Sequence, residues 1–279
     1  MRLIGLIACL LGVGCAAHSP SQTDRMTLAG RATSVDLYWP ESTEPAPLVV
    51  VAHGFARSRH RMAGWGETLA GRGYVAAVPD LPYLTAHHDN VQGVVELVES
   101  LQRRSDGRVD PERLVLVGFS AGGLVTALAA TEVQGLALWV GLDPVDSRGA
   151  AHAAAAELSI PAVTLHAEAH GCNAEGNGTT LAPAWSGPAW SAEIRGATHC
   201  DPEWPSNLSC RLFCGAPEPG PSSAFPELAL DAMDAVVRCD ADARRRLDHA
   251  GADPRIAWRS DDGWVDHLRT ACSADSAKD

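Results

Sequence analysis

Lysine is almost missing from this chain: Lys278 is its one lysine, and arginine supplies the rest of the 22 basic residues. Against them stand 34 aspartates and glutamates, for a formal net charge of −12. So little positive charge argues against nucleic acid and anionic lipid headgroups as partners, because both are held by basic side chains. The scarcity of lysine is itself a compositional habit and carries no function. A membrane-spanning run is missing too, since the apolar stretch from Leu3 to Val13 is too short to cross a bilayer. A complete metal-site pattern is also lacking. Cys210 and Cys214 are completed by no CxxC pair. His166 and His170 have the i, i+4 spacing of a helical metal pair, but they lie at a strand end running into Gly171. Neither a metal nor an organic cofactor is expected.

What the N-terminus does contain is Arg2, the apolar run and then Gly14-Cys15-Ala16-Ala17. This reads as an export signal over residues 1–14. A small residue before Cys15 resembles a bacterial lipoprotein cleavage site, after which the Cys15 thiol carries lipid. The rival is a plain secretory signal cleaved nearby. A lipid on Cys15 would be the chain's only attachment to a membrane, and the expected location is the cell envelope or the exterior. Residues 15–32 read as a linker, and residues 33–279 as one domain. Cys172, Cys200, Cys210, Cys214, Cys239 and Cys272 remain. An even number in an oxidising compartment predicts disulfides, all in the second half of the chain, with the pairing open.

The continuous apolar run at 47–54 has the character of a strand buried on both faces, and 74–80, 113–118, 136–143 and 160–167 read as further strands. Residues 33–40 form an earlier strand and 190–196 a later one. Between them, helical patterns cover 59–72, 89–104 (with Asp89 or Asn90 as N-cap), 121–131 and 149–158, and one more follows at about 225–238. The alternation predicts an α/β fold, a mostly parallel sheet flanked by helices, with no large lid domain. The segments 168–189 and 200–223, rich in Gly, Pro and Ser, read as long loops stapled by cysteines.

Gly118-Phe119-Ser120-Ala121-Gly122 fits G-x-S-x-G between a strand and a helix. A tight strand-to-helix turn needs small neighbours, and the helix start would set the Ala121 amide where an oxyanion develops. A serine hydroxyl needs a base, and the base an orienting acid. His199, in the loop after the last core strand, is the expected base. His249 and His267 read as exposed helix residues, and His87-His88-Asp89 as a solvated helix start. Asp143, coming off its strand directly before Pro144, is the first candidate acid. Glu168 is the second and Asp146 the third. The loop after strand 47–53 would supply the second oxyanion donor, the Phe55 amide. His53 shapes the turn there and is given no proton-transfer role.

In order along the chain, "VVVAHGF", "VGFSAGG", "VGLDPVD" and "GATHCD" resemble the oxyanion, nucleophile, acid and histidine loops of the α/β-hydrolase family. The resemblance covers about residues 35–240. It is greatest to chlorophyllase and its bacterial relatives, looser to the cutinase-type polyester hydrolases. "GLDP" is also similar to the acid loop of the pancreatic lipases, where that aspartate is the triad acid. Two departures stand out: chlorophyllase has an Arg or similar residue where this chain has Ala121, and the polyester hydrolases take their acid where this chain has Glu168. The resemblance implies a serine esterase acting on a small or lipid-like ester through an acyl-enzyme. An acyltransferase on the same scaffold, or an envelope binding protein that keeps the fold without catalysis, are the alternatives.

Overall fold

A computed structural model describes residues 20–85, 87–104 and 106–275. The expected signal at 1–14 and the Cys15 attachment point lie outside these residues. The described chain builds one nine-stranded sheet flanked by helices.

In chain order its elements are β1 (Gln22–Leu28), β2 (Arg31–Tyr38), β3 (Ala46–Ala52), α1 (Ala63–Gly71), β4 (Val75–Pro79), α2 (His87–Arg104), β5 (Val109–Phe119), α3 (Ala121–Ala129), β6 (Leu136–Leu142), α4 (Ala150–Ala155) and β7 (Ala162–His166). After these come α5 (Leu181–Ala184), β8 (Ala189–Ile194), α6 (Leu208–Cys214), α7 (Pro219–Val237), α8 (Ala241–His249), β9 (Ile256–Asp262) and α9 (Trp264–Asp275). The strand order is β1-β2-β4-β3-β5-β6-β7-β8-β9. Pairing is parallel from β4 through β8, and antiparallel at the two edges. This is the expected α/β architecture, and no large lid interrupts the described residues.

Strand alternation explains the two cores. Along β5, Val115, Val117 and Phe119 face one side, while Leu114 and Leu116 face the other. The first side packs under α1, α7, α8 and α9, with Trp65, Phe225, Met233 and Trp264 buried in it. The second packs under α2, α3, α4 and α5, with Val94, Leu97, Leu124 and Leu181. A central strand covered on both faces has no polar side, which is why these runs are continuously apolar.

The structure corrects several expectations. Residues 22–28, expected within the linker, are an edge strand whose outer face is exposed, so its sequence is polar. β9 was not expected for the same reason: most of its residues are exposed. β5 starts at Val109, ahead of the apolar run. The stretch expected as loop at 168–189 contains helical turns over Gly171–Thr180 as well as α5. The one at 200–223 holds α6 and the first turn of α7, which begins at Pro219 because proline suits a first helical turn. Asn90 caps no helix. It lies inside α2 and its amide bonds both the N–H and the carbonyl of Tyr83.

The cysteines pair Cys172–Cys214, Cys200–Cys210 and Cys239–Cys272. Three disulfides are at home in an oxidising compartment such as the periplasm or the exterior. Among the described residues no helix is long and apolar enough to cross a membrane.

Candidate active site

All the candidate residues follow the carboxyl ends of parallel strands, where open α/β sheets place their sites. Ser120 comes directly after β5 as the N-cap of α3, with φ +55° and ψ −124°. A non-glycine residue in that region is strained by roughly 1–3 kcal/mol, and surrounding bonds must hold it there. Ser120 N–H donates to the Leu142 carbonyl at 3.1 Å, and the Ser120 carbonyl accepts from Val145 at 3.1 Å and Gly123 at 2.9 Å. The turn also explains its glycines. A Cβ on Gly122 would lie 2.5 Å from the carbonyl oxygens of both Ala52 and His53, which are backbone and cannot yield.

Asp143 follows β6, also at positive φ (+43°), with its N–H donating to the Leu165 carbonyl at 2.6 Å. His199 stands in the loop after β8. Its Nδ1 is 2.5 Å from Asp143 Oδ2, and its Nε2 is 2.9 Å from Ser120 Oγ. A carboxylate only accepts, so Nδ1 carries the proton and Nε2 is left to accept from the serine hydroxyl. The three side chains are buried, and the Phe119 ring lies 4.9 Å from the imidazole. A serine hydroxyl, an imidazole and a carboxylate are thus joined in one line by hydrogen bonds.

The other candidate acids go elsewhere. Asp146 Oδ1 accepts from Ala151 N–H at 2.8 Å, in the first turn of α4. Glu168 is exposed, and its Oε1 accepts from Gly196 N–H at 2.7 Å. Neither is bonded to His199.

Phe55 and Ala121 line one cavity of about 200 Å³, together with Gly54, Leu81, Tyr83, Leu84 and Val125. The loop after β3 passes close over the serine: a Cβ on Gly54 would be 3.0 Å from Ser120 Cβ. Arg57, on this loop, pairs with the buried Glu203 at 2.6 Å and so ties it to the loop that carries His199. Burial pushes the Glu203 carboxyl up. His53 does more than shape a turn. Its Nε2 accepts from Leu81 N–H at 2.9 Å and its Nδ1 donates to the Gly54 carbonyl at 2.8 Å, joining the ends of β3 and β4. Burial lowers its pKa, and the two bonds fit only the neutral ring.

Asp201 and Asn173 receive no role from the sequence, and His166 is placed otherwise than in the metal pair weighed for it. Asp201 holds the histidine loop: its Oδ2 accepts from Thr198 N–H at 2.6 Å and Thr198 Oγ1 at 2.8 Å, its Oδ1 from Ser222 Oγ at 2.5 Å. Its one visible signal is its place two residues after His199. His166, at the end of β7, is buried and pushed down to about 4 by burial, against the opposing charge of Asp143. It stands 3.2 Å from Ser191 Oγ. Asn173 is wholly buried against Asp143 and donates to its carboxylate. Nothing in the pattern of "HGCNAEGNG" distinguishes that asparagine from a loop residue. His166 and His170, weighed as a metal pair, divide: His166 is in the core, and His170 is exposed with Nδ1 accepting from Cys172 N–H. The sulfurs of Cys200, Cys210 and Cys214 lie within 4.8 Å of one another, but as members of two disulfides.

An α/β fold with serine, histidine and aspartate in a hydrogen-bonded line is thus what the chain presents. No family model matches it. It is similar to the quorum-quenching protein AidA of Acinetobacter baumannii (strain MDR-ZJ06), with 29% identity over 109 residues. The match covers 36% of this chain and 36% of that protein, so this chain spans little more than a third of the relative's length.

Proposed function

We propose that this protein is an exported serine hydrolase that cleaves carboxylic esters through an acyl-enzyme, with Ser120, His199 and Asp143 as its triad. The observation that carries the reading is the unbroken relay from Ser120 Oγ through both ring nitrogens of His199 to Asp143. Ser120 Oγ attacks the ester carbonyl as His199 Nε2 takes its proton, and the Nδ1 proton stays bonded to Asp143, which stabilises the imidazolium. The amides of Phe55 and Ala121 hold the oxyanion. His199 then gives its proton to the leaving alkoxide. Water, deprotonated by the same imidazole, attacks the acyl-enzyme and releases the acid and the free serine. None of these steps calls for a metal or an organic cofactor.

Partial similarity to a quorum-quenching protein supports a hydrolase and specifies no substrate. The stretches that resemble chlorophyllase support an ester bond, and the cavity of about 200 Å³ beside Ala121 favours short to medium acyl groups. Export is supported by the three disulfides and by the signal-like residues 1–14. Hydrolysis of p-nitrophenyl esters graded by acyl length tests the reading. We expect turnover that falls off for long chains and disappears in Ser120→Ala. A folded protein that turns over none of the series would overturn it.

A further inference from the structure

We infer that Asn173 is a positioning residue of this site: its side-chain amide clamps the Asp143 carboxylate in the orientation that His199 requires. The inference rests on the triad reading above, and adds a fourth residue through which that triad is set.

The orientation of the Asn173 amide is decided by its neighbours. The backbone N–H groups of His170, at 2.8 Å, and Gly176, at 3.0 Å, point at Oδ1 and can only donate. The amide nitrogen therefore faces the other way. There Nδ2 donates to Asp143 Oδ2 at 3.1 Å, to its Oδ1 at 3.3 Å, and to the Glu168 carbonyl at 3.0 Å. Both ends of the side chain are satisfied, and the residue has no exposure to solvent.

Asp143 is equally enclosed. Its carboxylate receives the Ala167 N–H on Oδ1 at 3.0 Å, His199 on Oδ2 and Asn173 across both oxygens. A buried carboxylate left short of donors favours its neutral form. Ala167 alone fixes one oxygen. Asn173, reaching both, fixes the plane.

The segment carrying Asn173 is held at a cost. Ala174 and Glu175 sit at φ +51° and +57°, where residues other than glycine are strained. Cys172, next to Asn173, is bonded to Cys214 on α6. A chain that follows a strained path under a covalent tie, with its one buried polar side chain against the acid, is built to deliver that side chain.

The competing explanation is that Asn173 only shapes the turn through Oδ1. Asn173→Asp separates the two. It keeps the volume and an oxygen for His170 and Gly176, but sets an acceptor where Nδ2 donated. When protonated, the new carboxyl donates from its O–H much as the amide does. We expect kcat at pH 8 to fall by about tenfold to a hundredfold, as for a catalytic group displaced by under an ångström, with KM changed less than twofold. The ratio of variant to wild-type kcat should rise as pH is lowered. A proton resonance read by NMR, the far-downfield His199 Nδ1–H shared with Asp143, should move upfield at pH 8. Wild-type kcat with an unmoved resonance would overturn the inference, as would a kcat loss that is the same at every pH and equal to that of Asn173→Ala. If Asn173→Asp does not fold, Asn173→Ala carries the test: kcat must fall with KM held and the resonance must move, and unchanged kcat overturns the role. The NMR arm needs no turnover. A wild-type protein inactive on esters would therefore sink the esterase reading, while the resonance still decides whether Asn173 orients Asp143.

Discussion

At the residue scale, two carboxylates that the sequence alone ranks only by position, Asp143 and Glu168, should carry unequal costs. Asp143→Asn should lower ester turnover by several orders of magnitude, because an amide facing His199 Nδ1 favours the wrong tautomer. Glu168→Gln should cost less than twofold, since that side chain is exposed and bonds Gly196 rather than the imidazole. Steady-state kinetics on one ester decide both, and equal losses would show that the acid is misassigned. Ser120→Ala and His199→Ala should each abolish turnover while leaving the circular dichroism spectrum intact. Gly122→Ala belongs to a different class. Its methyl group would meet two backbone carbonyls at 2.5 Å, so thermal unfolding should show a loss of stability of at least about 1–3 kcal/mol, the usual cost of overpacking.

At the element scale, what was legible depended on how each strand is covered. β3, β5, β6 and β7 are buried on both faces and announce themselves as apolar runs. β1 and β9 each have one neighbour and an exposed outer face, so their polar sequences look like linker. That Ser120, Asp143 and His199 meet is legible because each sits just beyond a strand or in the loop that follows one, and carries a side chain that the proposed chemistry needs. Asn173 and Asp201 are not legible, because what they do is set by loops that only the disulfides and distant hydrogen bonds place. Those ties can be tested. Cys172–Cys214 closes a loop with a sequence separation of 42. On chain-entropy grounds, removing it as Cys172→Ser/Cys214→Ser should cost up to about 4 kcal/mol of stability, and kcat should fall through displacement of Asn173. Unfolding and kinetics measured on the same preparation check this. Undiminished kcat in the folded double variant would detach the strap from the site.

At the scale of the whole molecule, buried histidines give the fold an acid limit. The folded pKa of His166 is about 4, below its ordinary 6.5, so the unfolded chain binds its proton first as pH falls. The stability it contributes is complete above pH 6.5 and is lost as pH falls toward 4, about 3 kcal/mol in all. His53, also lowered by burial, acts in the same direction. Glu203 acts in the other: its raised pKa makes the folded state bind a proton first, so it gains stability as pH falls. His267, half-buried on α9 and also lowered by burial, adds to the two histidines. With three histidines against one carboxyl, the melting temperature should drop between pH 6.5 and 4. The drop should be shallower in His166→Gln. A melting temperature flat across that window would contradict the burial of these rings.

Whether Ser120 is an activated nucleophile is tested most directly by labelling with a fluorophosphonate followed by peptide mapping. The expected result is a single adduct on Ser120, absent in Ser120→Ala and formed far more slowly in His199→Ala. A folded wild-type protein that takes up no label, or carries it on another residue, would contradict it.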